Sequence, residues 1–454
     1  NATNANETFK NKVPIFDYHT INERWWKQQQ IHPDITWPGS PNYFAKSSGT
    51  TGKKSKRIPV TDDYIASVRS VGLSMVKSLS NFNFPTELYE KEVLMLSSSA
   101  DLTNNKKGFE EGEISGINVS NFPDWYDAFY RPGQEIAAID DWDERLERIV
   151  EEAPNWDIGS IAGIPSWVLM MLKAIIKKHH LKNIHEIWPD FEVYSSGGVA
   201  FETYRAAFDK VCGKPITVMD TYLASEGFFA YTARPGSMDM KLALSHGVYY
   251  EFIPFNEQGF DETGNLLDNP VTLTIDEAEE GKEYALLVST CSGAWRYMVG
   301  DTIKFTSTDP YRIKITGRTK HHINVFGEEL IIENAEEGLK LACEKTNATI
   351  KEYTVGPIFM EDKKSGGHEW IIEFEMEPES LAYFTELLDN ALKSINSDYE
   401  AKRYLNMTLM LPKIHIAKKG LFYSWLKKKE KLGGQHKIPR LSNSRDFVEE
   451  LLAL

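Results

Sequence analysis

The chain has 454 residues, 41% apolar and 26% charged, a balance typical of folded globular proteins and a length that predicts two or three domains rather than one core. Its net charge of −15 argues against a general nucleic-acid or membrane-surface binder, since neither polyanion attracts an acidic body. Cys212, Cys291 and Cys343 stand far apart without metal-type spacing and read as reduced thiols of a cytoplasmic protein.

The sequence opens at Asn1 without methionine, which reads as a natural N-terminus trimmed or unobserved. From residue 13 to about 317 helical and strand patterns alternate. "YFAKSSGTTGKKSKRIPVT" (43–61) sets small hydroxyl residues and two glycines before a lysine run. Ser47, Ser48, Gly49, Thr50, Thr51 and Gly52 cannot build a core, yet they let backbone N–H groups and hydroxyls close on an anion such as phosphate. The P-loop pattern fails twice: its first glycine would fall at Ser47, and Lys53 is followed by Lys54 instead of Ser or Thr. The alternative is a plain surface loop with a solvated lysine run.

"KEVLMLSSS" (91–99) and "HEIWPDFEVYSSGG" (185–198) run apolar residues into small polar ones, as buried strands ending in a site loop would. "WDERLERIVEEA" (142–153) and "FETYRAAFDKVC" (201–212) have helical spacing, and 164–176 reads as an amphipathic or buried helix too short to span a bilayer. Gly197 and Gly198 stand between a strand and a helix, where bare backbone can lie against a flat ring or simply make a tight turn. "TYLASEGFF" (221–229) ends a strand with Glu226 among small residues, a carboxylate able to hold magnesium against phosphates or merely a solvated one. Residues 244–305 are strand-rich, and "WRYMVGDTIKF" puts Asp301 after a glycine turn, able to accept from paired ribose hydroxyls or to cap the turn.

A strand, a glycine-arginine turn, another strand and a helix opening near Glu333 follow. The turn at 317–320 is the expected boundary between a domain over 1–317 and a smaller α+β domain over 318–454. The latter should hold strands near 351–360, 369–376 and 407–416 and helices near 380–396 and 443–453. "KLGGQHKIPR" (431–440) sets Lys437 beyond a double glycine, where the plain reading is a solvated lysine.

The order and spacing of these segments resemble the adenylate-forming enzymes: acyl-CoA synthetases, luciferases and peptide-synthetase adenylation domains. Within them, the likeness is closer to the acyl-acid amido synthetases, the plant auxin- and jasmonate-conjugating family, and especially its bacterial relatives, from about Val13 to Asn443. "SSGTTGKKSK" matches that family's S-S-G-T-[ST]-x-G-x-x-K in its first five residues and in Lys56, with Gly52 one place early. Where the wider superfamily's lysine would fall, this chain has Ser55. "YLASE" matches tyrosine-x-x-serine-glutamate, and "WRYMVGD" matches Y-R-x-x-x-G-D with tryptophan for the first tyrosine. "TGRTKHHINVFGEEL" is similar to the superfamily's hinge, whose lysine or aspartate is here Lys320.

The resemblance implies an α/β fold with a large N-terminal adenylation domain and a small mobile C-terminal domain. It also implies ATP and Mg2+ as cofactors, held by Ser47, Ser48, Gly49, Thr50, Thr51, Gly197, Gly198, Tyr222, Ser225, Asp301 and Arg318. Lys437, Lys56 and Glu226 would be catalytic, Glu226 the metal ligand, and Lys320 the hinge. Partners would be a carboxylic acid and an amino acid, with neither nucleic acid nor membrane. Ser99, Trp125, Tyr126 and Trp167 are candidates for an acyl pocket or for core, and His321 and His322 read as structural. The expected activity is ATP-dependent amide formation through an acyl adenylate. An acyl- or aryl-CoA ligase shares that first step, and a non-catalytic nucleotide-binding protein is a third reading, against which intact Lys56, Glu226, Asp301 and Lys437 count.

Overall fold

The structure, a computed structural model, describes residues 2–47, 56–104, 108–197, 201–261, 265–319, 323, 328, 330–359, 366–396, 399–400, 403, 409–429, 432, 438–442 and 444–454. In chain order the strands are β1 (Tyr43–Ser47), β2 (Lys56–Val60), β3 (Glu92–Met95), β4 (Thr103–Asn104), β5 (Glu110–Gly112) and β6 (Tyr130–Arg131). Then come β7 (Ile158–Gly163), β8 (Val193–Gly197), β9 (Thr217–Ala224), β10 (Gly227–Tyr231), β11 (Met240–Leu242) and β12 (Val248–Pro254). The last are β13 (Glu283–Thr290), β14 (Ala294–Thr308), β15 (Tyr311–Arg318), β16 (Thr349–Ile358), β17 (Gly367–Met376) and β18 (Lys413–Ile416).

Among the described residues these form three sheets. The largest runs β12-β13-β14-β15-β11-β10-β9-β8-β7-β3-β6. Its β6-β3-β7-β8-β9 half is parallel, and the rest is antiparallel from β9 onward. The parallel strands are short apolar runs because helices cover them, chiefly Trp142–Glu152, Pro165–Lys178 and Glu202–Val211. Pro165 opens its helix at the first turn, where its missing N–H costs nothing, and Lys177 and Lys178 close it against the negative end of the dipole. This helix is the expected buried one: Val168, Met171, Leu172 and Ile175 are fully buried.

A second sheet, β2-β1-β5-β4, holds the flanks of the serine-rich loop, with Ser47 opposite Lys56 in an antiparallel register. Immediately after it, the Thr61 side chain accepts the Tyr64 N–H at 3.1 Å and caps the helix Asp62–Ser78, whose first turn carries Asp62 and Asp63.

The third sheet, β16-β17-β18, packs the helices Ile332–Thr346 and Leu381–Ile395 over a core with Trp370, Ile372, Leu339 and Leu388. Strand alternation turns Ile371 the other way, into a cluster it shares with Trp167, Phe201, Tyr204, Phe422, Trp425 and Ile438. The C-terminal part is thus packed on the helices of the N-terminal part. Most expected strands and helices fall within a few residues of those observed, but 185–198 forms a strand only over Val193–Gly197, 407–416 only over Lys413–Ile416, and the helix Leu421–Lys428 was not expected. Gly317 and Arg318, expected in a turn, continue β15 in register with Thr302 and Asp301, because β14 supplies their backbone partners. No described helix is long and apolar enough to cross a membrane.

Candidate nucleotide site

Where the parallel half of the large sheet meets the antiparallel half, β9 turns into β10 through Ser225 and Glu226, with Ala224 paired to Gly227. A two-residue hairpin loop is normally solvated, but here Ser225 is 8% and Glu226 7% exposed. A Cβ on Gly227 would lie 2.6 Å from the Phe229 ring, so the turn needs glycine there. The Tyr64 hydroxyl donates to the Ala224 carbonyl at 3.1 Å and fastens the turn from outside the sheet.

Burial pushes the Glu226 carboxyl above its usual range; Lys56 draws it back, Asp301 pushes it further up, and Arg318 also opposes the rise. The phenols of Tyr64 and Tyr297 are raised, first by burial and next by the charge of Glu226. Tyr297 hydroxyl is buried without a hydrogen-bond partner among the described residues.

Asp301 lies on β14 just past Gly300, whose φ of +89° is a left-handed conformation suited to glycine. It stands in register with Arg318 on β15, and its Oδ1 is 3.0 Å from the Arg318 Nε. Its Oδ2 accepts the Tyr222 hydroxyl at 2.6 Å. The Arg318 guanidinium is raised chiefly by Asp301, and the Tyr222 phenol by burial and then Asp301. Lys56, at the foot of the serine-rich loop, places its Nζ 5.4 Å from the Tyr18 ring centroid. Gly197 ends β8 opposite Thr221; a Cβ there would lie 3.2 Å from Thr221 Oγ1, tight enough to press on it.

Tyr222, Ser225, Glu226, Asp301, Arg318 and Lys56 therefore converge as one electrostatic group of two carboxylates and two cations. Ser48, Gly49, Thr50, Thr51, Gly52, Gly198, Lys320, His321, His322 and Lys437 lie outside the described residues, as does the side chain of Ser47. Of the acyl-pocket candidates, Trp167 belongs to the core: it is 5% exposed and its ring lies 4.9 Å from that of Trp142. Ser99 donates to the Ala138 carbonyl at 3.4 Å, Tyr126 packs on Phe122, and Trp125 is 63% exposed.

Two residues at the site had no signal of their own in the sequence, Tyr64 and Tyr297. Tyr297 sits inside the "WRYMVGD" stretch, directly after Arg296, a left-handed residue with φ 41°. Arg296 Nε and Nη2 donate to the Glu251 carboxylate at 2.9 and 3.0 Å, and its Nη1 donates to the carbonyls of Lys10 and Val13 at 2.8 Å each. Both side chains of this ion pair are buried, Arg296 at 6% and Glu251 at 1% exposure.

No cluster of three or more His, Cys, Asp or Glu side chains suited to a metal exists among the described residues. A lone carboxylate still fits magnesium, which takes one or two protein carboxylates and leaves its other positions to phosphates and water. Glu226 is the carboxylate that would serve, with Lys56 and Arg318 partly offsetting the rise that burial imposes on it.

Models of the GH3 family match along the sequence: its N-terminal domain at 1–147, its central domain at 241–318 and its C-terminal domain at 333–446. An indole-3-acetic acid-amido synthetase of Arabidopsis thaliana is 25% identical over 204 residues, 42% of this chain and 36% of that protein. A jasmonoyl-L-amino acid synthetase of Oryza sativa is 26% identical over 294 residues, 60% of this chain and 49% of that protein. These matches thus span about a third to a half of the curated relatives' own lengths. A solved GH3.15 acyl acid amido synthetase superposes with a TM-score of 0.80 at 16% identity, over 98% of this chain and 87% of that one, which establishes the shared fold.

Proposed function

We infer that this chain, which belongs to the GH3 family, is an ATP-dependent acyl acid amido synthetase. The observation that carries the reading is the group formed by Tyr222, Asp301 and Arg318 beside buried Glu226, within the field of Lys56. A carboxylate is a poor acylating agent because its leaving group is an oxide. Attack of a carboxylate oxygen on the α-phosphorus of ATP forms an O–P bond and releases pyrophosphate. An amine nitrogen then attacks the acyl carbon, the C–O bond to AMP breaks, and the nitrogen's proton passes to solvent.

Because the attacking carboxylate and the α-phosphate are both anionic, the site must supply cations and donors around the phosphoryl oxygens. Lys56 and the hydroxyls of 47–51 serve that purpose. Magnesium, held by Glu226, would neutralise charge on the phosphates. Asp301 receives the ribose hydroxyls: an ionised carboxylate offers about four lone-pair sites, and Tyr222 and Arg318 take only two of them. Gly197 and Gly198 give the adenine a bare backbone face. The C-terminal domain, from 318 onward, pivots at Lys320 and carries Lys437 to the α-phosphate for the first step, then withdraws it for the second. The protein works in the cytoplasm on a carboxylic acid and an amino acid.

The test is pyrophosphate exchange over a panel of carboxylic acids that includes indole-3-acetic and jasmonic acids, followed by mass spectrometry with amino acids or CoA as acceptor. An amide product is expected. Acyl-CoA with no amide from any amino acid would refute the amido synthetase reading.

A further inference from the structure

Residues 438–442 attach to the free edge of β16 through a parallel bridge between Val355 and Leu441. The Val355 N–H donates to the Arg440 carbonyl at 2.9 Å, the Ser442 N–H donates to the Val355 carbonyl at 3.1 Å, and Thr354 Oγ1 donates to the Pro439 carbonyl at 2.5 Å. Arg440, 6% exposed, sits at the centre of this attachment. Its Nη1 donates to the Glu352 carboxylate and to the Tyr353 carbonyl at 3.2 Å, and its guanidinium stacks 4.4 Å above the Tyr353 ring.

One bond of Arg440 leaves the C-terminal part altogether. Its Nη2 donates at 2.8 Å to the hydroxyl of Tyr204, on the helix Glu202–Val211 that follows β8 in the chain. The Tyr204 hydroxyl in turn donates to Glu352 at 3.5 Å, so it is engaged in both directions while 1% exposed. Ile438 packs in the same apolar cluster as Phe201 and Tyr204. Other polar ties between the two parts include Lys210 to Thr349 at 3.0 Å, Lys304 to Glu333 at 3.5 Å, Lys173 to Glu375 at 2.7 Å, and Lys427 and Tyr423 to Asp143; the ion pairs among them join partly or largely exposed side chains, which contribute little.

Arg440 lies three positions after Lys437, with Ile438 and Pro439 between them, a reach of at most about 11 Å. We propose that Tyr204 is a positioning residue for adenylation: by docking Arg440 it holds the segment leading from Lys437 against the helix Glu202–Val211. This rests on the functional reading above. Rotation of the C-terminal domain must break this bond, so its strength sets how long the adenylating arrangement persists.

The test is Tyr204→Phe, which removes one oxygen and keeps the ring. With an acid active in the wild type, pyrophosphate exchange should fall about tenfold to a hundredfold, the range for losing a buried hydrogen bond to a charged group. The loss should appear in kcat with KM for ATP unchanged, because no nucleotide contact is touched. Amide formation from a supplied acyl adenylate should change by less than about threefold, and small-angle scattering of the free protein should show a more open domain arrangement than the wild type. Equal losses in both half-reactions, unchanged exchange, or superimposable scattering curves would overturn the proposal while leaving the functional reading in place. A wild-type protein without exchange on any acid would overturn both.

Discussion

Replacing Asp301 with alanine removes an acceptor that two neighbours already use, and the consequences for binding and for folding can be separated. In the free protein the variant loses the 2.6 Å bond from Tyr222, which as a buried bond to a carboxylate contributes about 1.5–3 kcal/mol. The pair with Arg318 counts for less, about 0.2–1 kcal/mol, because the arginine side chain is 38% exposed and water screens it. The folded state should therefore lose about 2–4 kcal/mol, readable by urea unfolding. Nucleotide binding should lose a further about 1.5–3 kcal/mol, or about 10- to 150-fold in Kd, if the two free lone pairs receive the ribose hydroxyls. Calorimetric titration with ATP and with 2′,3′-dideoxy-ATP isolates that term. The wild type should prefer ATP by this factor, and Asp301→Ala should bind the two alike. A folded variant that still prefers ATP by the wild-type margin would refute the assignment of Asp301 to the ribose.

Three further outcomes are expected. Glu226→Gln keeps the shape but removes the charge a hard cation prefers, so adenylation should fall and be partly restored by raised magnesium; wild-type rates at limiting magnesium would exclude Glu226 as the ligand. Lys437→Ala should slow pyrophosphate exchange about a hundredfold or more while sparing amide formation from a supplied adenylate, and near wild-type rates in both would mark Lys437 as a plain solvated side chain. Glu336 is pushed by burial from 4.5 to about 7, with Arg440 opposing and Glu333, Asp220 and Glu352 adding to the rise. Between about 4.5 and 7 the native state then binds more protons than the unfolded one, so the stability Glu336 contributes declines as pH rises through that window. Glu336→Gln should flatten the decline and unfold at a higher temperature than the wild type at pH 8; identical pH profiles would show that Glu336 titrates normally.

The parts of the site legible in the sequence are those whose residues are neighbours in the chain. "TYLASEGFF" carries both the strand and the turn that buries Glu226, and "WRYMVGD" carries the glycine, the acid and the strand that bring Asp301 beside Arg318. The serine-rich stretch marked a loop, but its flanks also pair as β1 and β2, which apolar alternation this short does not reveal. Tyr64 escaped notice because it looks like any aromatic on the buried face of a helix; its bond to Ala224 crosses 160 residues. Arg440 and Tyr204, 236 residues apart, meet only after both domains have folded and docked. The helix Leu421–Lys428 follows a lysine pair and precedes a lysine run, so charge hid the apolar stripe of Phe422, Trp425 and Leu426 that holds it down. Trp167 carried no mark to distinguish a pocket wall from a core wedge, and packing against Trp142 settles it as the second.

The pairing of Arg296 with Glu251 has a practical side for anyone who shortens or labels this protein. The same guanidinium that fixes the backbone next to Tyr297 also grips the carbonyls of Lys10 and Val13. The leading residues are therefore a brace for the site, although they touch none of its charged groups. Cutting back to Phe16 would strip two acceptors from a buried cation and loosen the stretch that leads to Asp301, five residues further along β14. Deletions meant only to tidy the amino end should thus weaken nucleotide affinity, and purification handles are better placed at the other end of the chain.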